Sequence, residues 1–179
     1  MKKLFFILIT LFISTTTFSQ VYNDAKTLST KTISLGVTPV IQSNNGGFAL
    51  FADAGIGFGG ADLDFIVGFG EPNYFGANIE FMLLRRSPYL SVAVGGHTQG
   101  GVVGLDGTLN LSFPITRNVG LYGGIDADMN FYSGSTTMPA WFFVGTNIAL
   151  QRNIEFMIEV APAITNANSI FGLGLKVYL

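Results

Sequence analysis

The sequence predicts an all-β fold: a closed, antiparallel, up-and-down transmembrane β-barrel of ten strands, with eight as the alternative. Three observations predict it. From Thr32 to Leu179, segments of roughly 9–14 residues alternate apolar and polar side chains, the period of a strand with two unlike faces. The chain is apolar, with 49% hydrophobic and 11% charged residues and a mean hydropathy of +0.47. Yet beyond the first twenty residues no apolar run approaches the ~18–20 residues of a membrane helix. The arginines, Arg85, Arg86, Arg117 and Arg152, all fall in alternate turns.

With 179 residues the chain is long enough for one domain. It has no cysteine, which excludes a disulfide, a thiolate nucleophile and a lipoprotein cysteine. The formal charge of -2 argues against nucleic acid as a partner.

Residues 1–20 read as a signal peptide. Lys2 and Lys3 form a basic start, Leu4–Ile13 is an apolar core too short to span a bilayer, and Thr17-Phe18-Ser19 offers a small-residue cleavage site near Ser19 or Gln20. Residues 21–31 are expected to be a polar, mobile N-terminal leader in the periplasm, and residues 32–179 the barrel.

The first strand, Thr32–Gln42, places Ile33, Leu35, Val37 and Ile41 on one face, and Ser43–Gly47 is a turn cluster. Phe48–Phe58 and Ala61–Gly70 alternate on either side of Gly59-Gly60, a pair suited to a two-residue hairpin. Glu71-Pro72-Asn73 breaks the pattern before Tyr74–Leu84, and Arg85–Pro88 before Tyr89–His97. Thr98–Gly101 is expected to turn. Val102–Phe113 and Val119–Tyr132 flank Pro114–Asn118, and Ser133–Pro139 is the longest loop. Ala140–Gln151, Ile154–Ile164 and Ile170–Leu179 complete the ten.

Lipid on the apolar face accounts for the phenylalanines. Phe48, Phe69, Phe75, Phe131, Phe142 and Phe171 fall near one set of strand ends, and Phe58, Phe81, Phe113 and Phe156 near the other. Two aromatic bands flanking an aliphatic zone mark a lipid-facing wall. With no water in the bilayer, every backbone group must be paired, so the sheet must close.

The signal-peptide pattern, the alternating strands, arginine-bearing turns such as Phe-Pro-Ile-Thr-Arg-Asn, and the C-terminal Phe-Gly-Leu-Gly-Leu-Lys-Val-Tyr-Leu resemble small outer-membrane β-barrel proteins of the OmpA/OmpX type, especially those of Bacteroidetes-type bacteria. The resemblance covers nearly all of residues 32–179. It departs at Leu179, where many such proteins end in an aromatic residue, and the loops are short for an adhesin. The resemblance implies a monomer in the outer membrane of a Gram-negative bacterium, exported by a cleaved signal peptide. It also implies contact with membrane lipid and with the outer-membrane assembly machinery through the C-terminal strand.

Turning the apolar face to lipid sends Asp53, Asp62, Asp64, Glu80, Asp106, Asp126, Asp128, Glu155 and Glu159 inward, with Lys176 as the matching cation. Hairpin pairing sets Asp106 opposite Asp126 or Asp128, and Lys176 opposite Glu159 or Met157, so Lys176–Glu159 is an expected salt bridge. Opposed carboxylates need water, a cation or a proton. Three readings follow: a hydrated lumen, a cation-attracting pore or weak Ca²⁺-type oxygen site, and a catalytic carboxylate pair. Inward glycines leave room and inward aromatics fill it; ten strands leave a narrow watery passage where eight are nearly plugged. His97, the single histidine, reads as a rim residue in a loop; Ser91 is too far along the strand to partner it, and a lone histidine excludes a multi-His metal site.

The expected function is a structural barrel or a narrow cation-preferring pore with an acidic lumen, without enzymatic activity or cofactor. The alternatives are an outer-membrane lipid hydrolase or acyltransferase and a soluble secreted β-barrel that binds a ligand.

Overall fold

A computed structural model describes residues 24–43, 47–165 and 167–179. The signal-peptide segment and its cleavage site lie outside the described residues. The strands are β1 (Ile33–Gln42), β2 (Phe48–Gly57), β3 (Ala61–Phe69), β4 (Tyr74–Leu84), β5 (Tyr89–Gln99), β6 (Val102–Pro114), β7 (Val119–Tyr132), β8 (Ser135–Thr137), β9 (Ala140–Gln151), β10 (Ile154–Ala161), β11 (Ala163–Thr165) and β12 (Ile170–Tyr178). β8 and β11 are three-residue additions at one end. The other ten pair antiparallel in chain order and close through β12 with β1. Closure leaves no free sheet edge, as a membrane wall requires.

The faces sort as the alternation predicts. Exposed large hydrophobics line every long strand, among them Leu35, Ile56, Phe65, Leu105, Ile125, Phe142 and Leu173. Phe48, Phe69, Phe75, Phe131, Phe142 and Phe171, and at the other end Phe58, Phe81 and Phe113, are all exposed. A soluble barrel would hide such side chains inside. Here lipid is the medium that accepts them.

Both chain ends of the barrel, and all four arginines, lie at one rim, here called the terminal end; the opposite rim is the distal end. The tight turn at the terminal end of β2–β3 uses Gly59 and Gly60 at φ of 78° and 123°, a region open to glycine.

Three expectations need correction here. β5 runs on to Gln99, so Thr98 and Gln99 belong to a strand and not to a turn. The ninth segment, expected over Ile154–Ile164, stops at Ala161, because Pro162 has no N–H to donate to a ladder, and Ala163–Thr165 pairs separately with β9. The leader is not loose over its described residues: it is seated in the terminal mouth. Ala25 and Thr27 are buried, the Ala25 N–H donates to Ser112 Oγ at 2.8 Å, and the Leu28 N–H donates to Asp62 Oδ2 at 2.9 Å.

Large aromatic side chains occupy part of the interior. Trp141, Tyr122 and Phe143 are 0–1% exposed, joined by Phe51, Tyr74, Val40, Met157 and Ile170. Trp141 donates its indole N–H to the Asn168 carbonyl at 2.9 Å, tying β9 to the connection before β12. These side chains occupy part of the room that ten strands leave. Barrel width sets the room, but aromatic side chains laid over cross-strand glycines take up part of it. A Cβ on Gly68 would come within 2.7 Å of the Phe51 ring and 2.9 Å of Tyr74 Cβ.

Candidate functional site

The inward polar residues fall into three groups along the barrel. At the terminal mouth, Asp24 of the leader accepts from the Ser112 hydroxyl at 2.6 Å and from Asn147 Nδ2 at 3.2 Å. Asn147 also donates to Glu155 Oε1 at 2.5 Å, and Tyr178 donates to the other Glu155 oxygen. Leader, β9, β10 and β12 together line a cavity of about 310 Å³ here. Burial in this mouth raises the Asp24 carboxyl above its ordinary 3.8; the Ser112 hydrogen bond opposes the shift and nearby Glu155 adds to it.

Just inside this mouth, Lys176 Nζ lies 3.3 Å from Asp53 Oδ2. The expected Lys176–Glu159 pair is therefore replaced by Lys176–Asp53. Register is the reason. Lys176 stands opposite Glu155 on one side and Gly36 on the other, while Glu159 stands opposite Gly172 and Gly145. Gly36 in turn stands opposite Asp53. The lysine thus reaches across a residue without a side chain to the strand beyond. Nearby, Glu80 Oε1 accepts from Ser91 and from Asn110 Nδ2, the latter at 2.9 Å.

Toward the distal end, Asp106 stands opposite Asp128, one of the two pairings the hairpin allows. Asp126 is fully buried two residues away, and its Oδ1 accepts from the Thr108 hydroxyl at 2.5 Å. His97 is the second correction of site residues: it is buried inside the lumen, not on a rim loop. Its Nδ1 meets Asp106 Oδ1, its Nε2 lies 2.8 Å from Asn130 Oδ1, and Tyr74 stacks on the ring with centroids 5.2 Å apart. Gly104 makes this possible. It stands between His97 and Asn130 in the ladder, and a Cβ there would lie 2.6 Å from Asn130 Oδ1.

His97, Asp106 and Asp128 each offer a donor atom, all within 4.8 Å of one another. His97 beside Asp106 also has the look of a base and its orienting acid, but Ser91 gives its hydroxyl to Glu80 and lies six residues along β5. The geometry therefore fits charge binding better than acyl transfer. Sequence reading alone missed Asn130, Asn110 and Gly104. The signal was there in the hairpin register, which aligns residues across two ladders at once.

No family model matches the chain, and no curated protein matches it. Among solved structures, a KdgM porin in complex with disordered oligogalacturonate superposes with a TM-score of 0.52 at 11% identity, covering 80% of this chain and 98% of that one. A second KdgM porin structure gives 0.51 at 12% identity over 80% and 98% of the two chains. The fold is that of a small outer-membrane β-barrel. The Acinetobacter baumannii outer membrane protein Omp33 is also similar, with a TM-score of 0.48 at 8% identity over 83% of this chain and 98% of that one. In an outer-membrane barrel, outward side chains meet lipid and inward ones make a polar interior, the sorting observed here.

Proposed function

We propose that the protein is a monomeric, structural outer-membrane barrel with a filled, acid-rich lumen, and that any leak through it prefers small cations. The single observation that carries this reading is the burial of Trp141, Tyr122 and Phe143 to 0–1% exposure across the barrel interior. An open pore would hydrate such residues.

The cation preference follows from charge. Asp62, Glu80, Asp126, Asp128 and Glu159 are buried on the inward side, against Lys176, the one inward lysine on the described strands. Carboxylates lining a low-dielectric passage repel anions and attract cations. In this reading residues 1–20 direct export and are removed, the terminal end faces the periplasm, and the C-terminal strand serves insertion by the assembly machinery. No enzymatic step is assigned.

The test is single-channel recording from the refolded mature chain in a planar bilayer. The reading predicts a closed baseline with at most small, brief, cation-selective events. A large steady conductance, or anion selectivity, contradicts it.

A further inference from the structure

We propose that His97, Asp106 and Asp128 bind one divalent transition-metal cation of the Zn²⁺ class inside the lumen. Three side-chain donors from three adjacent strands converge within 4.8 Å: His97 on β5, Asp106 on β6 and Asp128 on β7. One imidazole nitrogen and two carboxylates are a mixed donor set. It suits borderline cations such as Zn²⁺ better than Mg²⁺, which wants oxygen throughout.

Two further observations point to a ligand. Asp128 is 3% exposed, and its Oδ2 is buried without a hydrogen-bond partner. A buried carboxylate oxygen left unpaired is costly, and a cation between Asp106 and Asp128 removes that cost. The second is the placement of the histidine ring. Nε2 lies 2.8 Å from Asn130 Oδ1, an acceptor for its proton, while Nδ1 faces Asp106. A metal-bound histidine is held in this way, its other nitrogen donating to an oxygen acceptor that sets tautomer and ring angle.

A divalent cation also balances the two ligand carboxylates, and the buried Asp126 two residues along β7 adds negative charge that favours a cation here. An imidazolium at His97 would neutralise one aspartate and leave the other. Three protein ligands also leave a fourth position for water, as in open zinc sites. The cluster lies near the distal mouth, His97 being two residues from the end of β5 at Gln99.

The test is calorimetric titration of the untagged, refolded mature chain with Zn²⁺ alone. One equivalent is expected to bind. His97→Gln and Asp128→Asn should each weaken binding at least ~10-fold, and Asn130→Ala by about 10–100-fold, the usual loss when a supporting hydrogen bond to a metal-bound histidine is removed. Glu71→Gln, on an exposed turn, should bind as the parent does. Absence of binding, or equal affinity in all variants, overturns the proposal. So does Ca²⁺ binding as tightly as Zn²⁺ with no dependence on His97. X-ray absorption of the zinc-loaded parent protects the test against variants that fail to fold. With a single histidine in the chain, one imidazole in the coordination shell supports the site and none overturns it.

Discussion

Lys176 and Asp53 meet at 3.3 Å although their strands are not neighbours; β1 runs between them and offers Gly36 at the crossing point. The same arrangement recurs. Phe51 and Tyr74 meet across Gly68, with ring centroids 5.8 Å apart, and His97 meets Asn130 across Gly104. In each case the glycine lets side chains two strands apart touch inside the barrel. The lumen is therefore knitted around its circumference as well as along each hairpin.

The Lys176–Asp53 bridge yields the first prediction. Their side chains are 18% and 15% exposed, so neither charge is well hydrated. Asp53→Asn should destabilise the barrel by about 3 kcal/mol, the lower end for breaking a buried ion pair. The double variant Asp53→Leu, Lys176→Met should recover only part of that, because the pair's own charges are gone but Asp64, which also faces Lys176, loses its counter-charge. Urea midpoints in lipid vesicles read both.

The wall yields the second. Ile125 points outward from the middle of β7 and is 49% exposed. Ile125→Arg should cost about 2–4 kcal/mol of folding free energy in a bilayer, the penalty for a cation near the midplane of a barrel wall. Little loss would mean that water, not lipid, covers this face. Equilibrium refolding into vesicles provides the measurement.

The interior yields the third. Trp141→Ala removes a fully buried indole and its bond to the Asn168 carbonyl. A loss of about 3–5 kcal/mol is expected, the range for a large aromatic deleted from a packed core. The same variant should raise ion leakage, since the deleted volume lies in the lumen.

The leader yields a pH dependence. The docked Asp24 carboxyl titrates above its ordinary 3.8, mainly because burial disfavours its charged form. A raised acid pKa means that the docked state binds more protons than the released one. Docking is therefore firmest below about pH 3.8 and weakens as pH rises from there through the raised value. Glu155 and Lys26 are the charged neighbours, with Ser112 and Asn147 as hydrogen-bond donors. One proton limits the slope to about tenfold per pH unit. Because the chain has no cysteine, Lys26→Cys accepts a single spin label that reports docking. Asp24→Asn should flatten the profile.

Much of this architecture was legible in the residues. Alternation alone placed the ten strands, with Tyr74–Leu84, Val119–Tyr132 and Ala140–Gln151 matching to the residue, because one buried or lipid-facing side per strand leaves little freedom of phase. Asp106 fell opposite Asp128 because their hairpin turn is short. Lys176 and His97 were misread for a different reason. Pairing arguments ran one hairpin at a time, whereas both residues find partners two strands away, over Gly36 and Gly104. The leader gave no periodic signal; its seat depends on Ser112, Asn147 and Asp62, which lie far off in the sequence.

The central claim, a barrel sealed by its own side chains, is tested most directly by planar-bilayer conductance of the refolded mature chain beside Trp141→Ala. A closed baseline is expected for the parent and small cation-selective openings for the variant. A large, steady conductance in the parent, unchanged by Trp141→Ala, would contradict it.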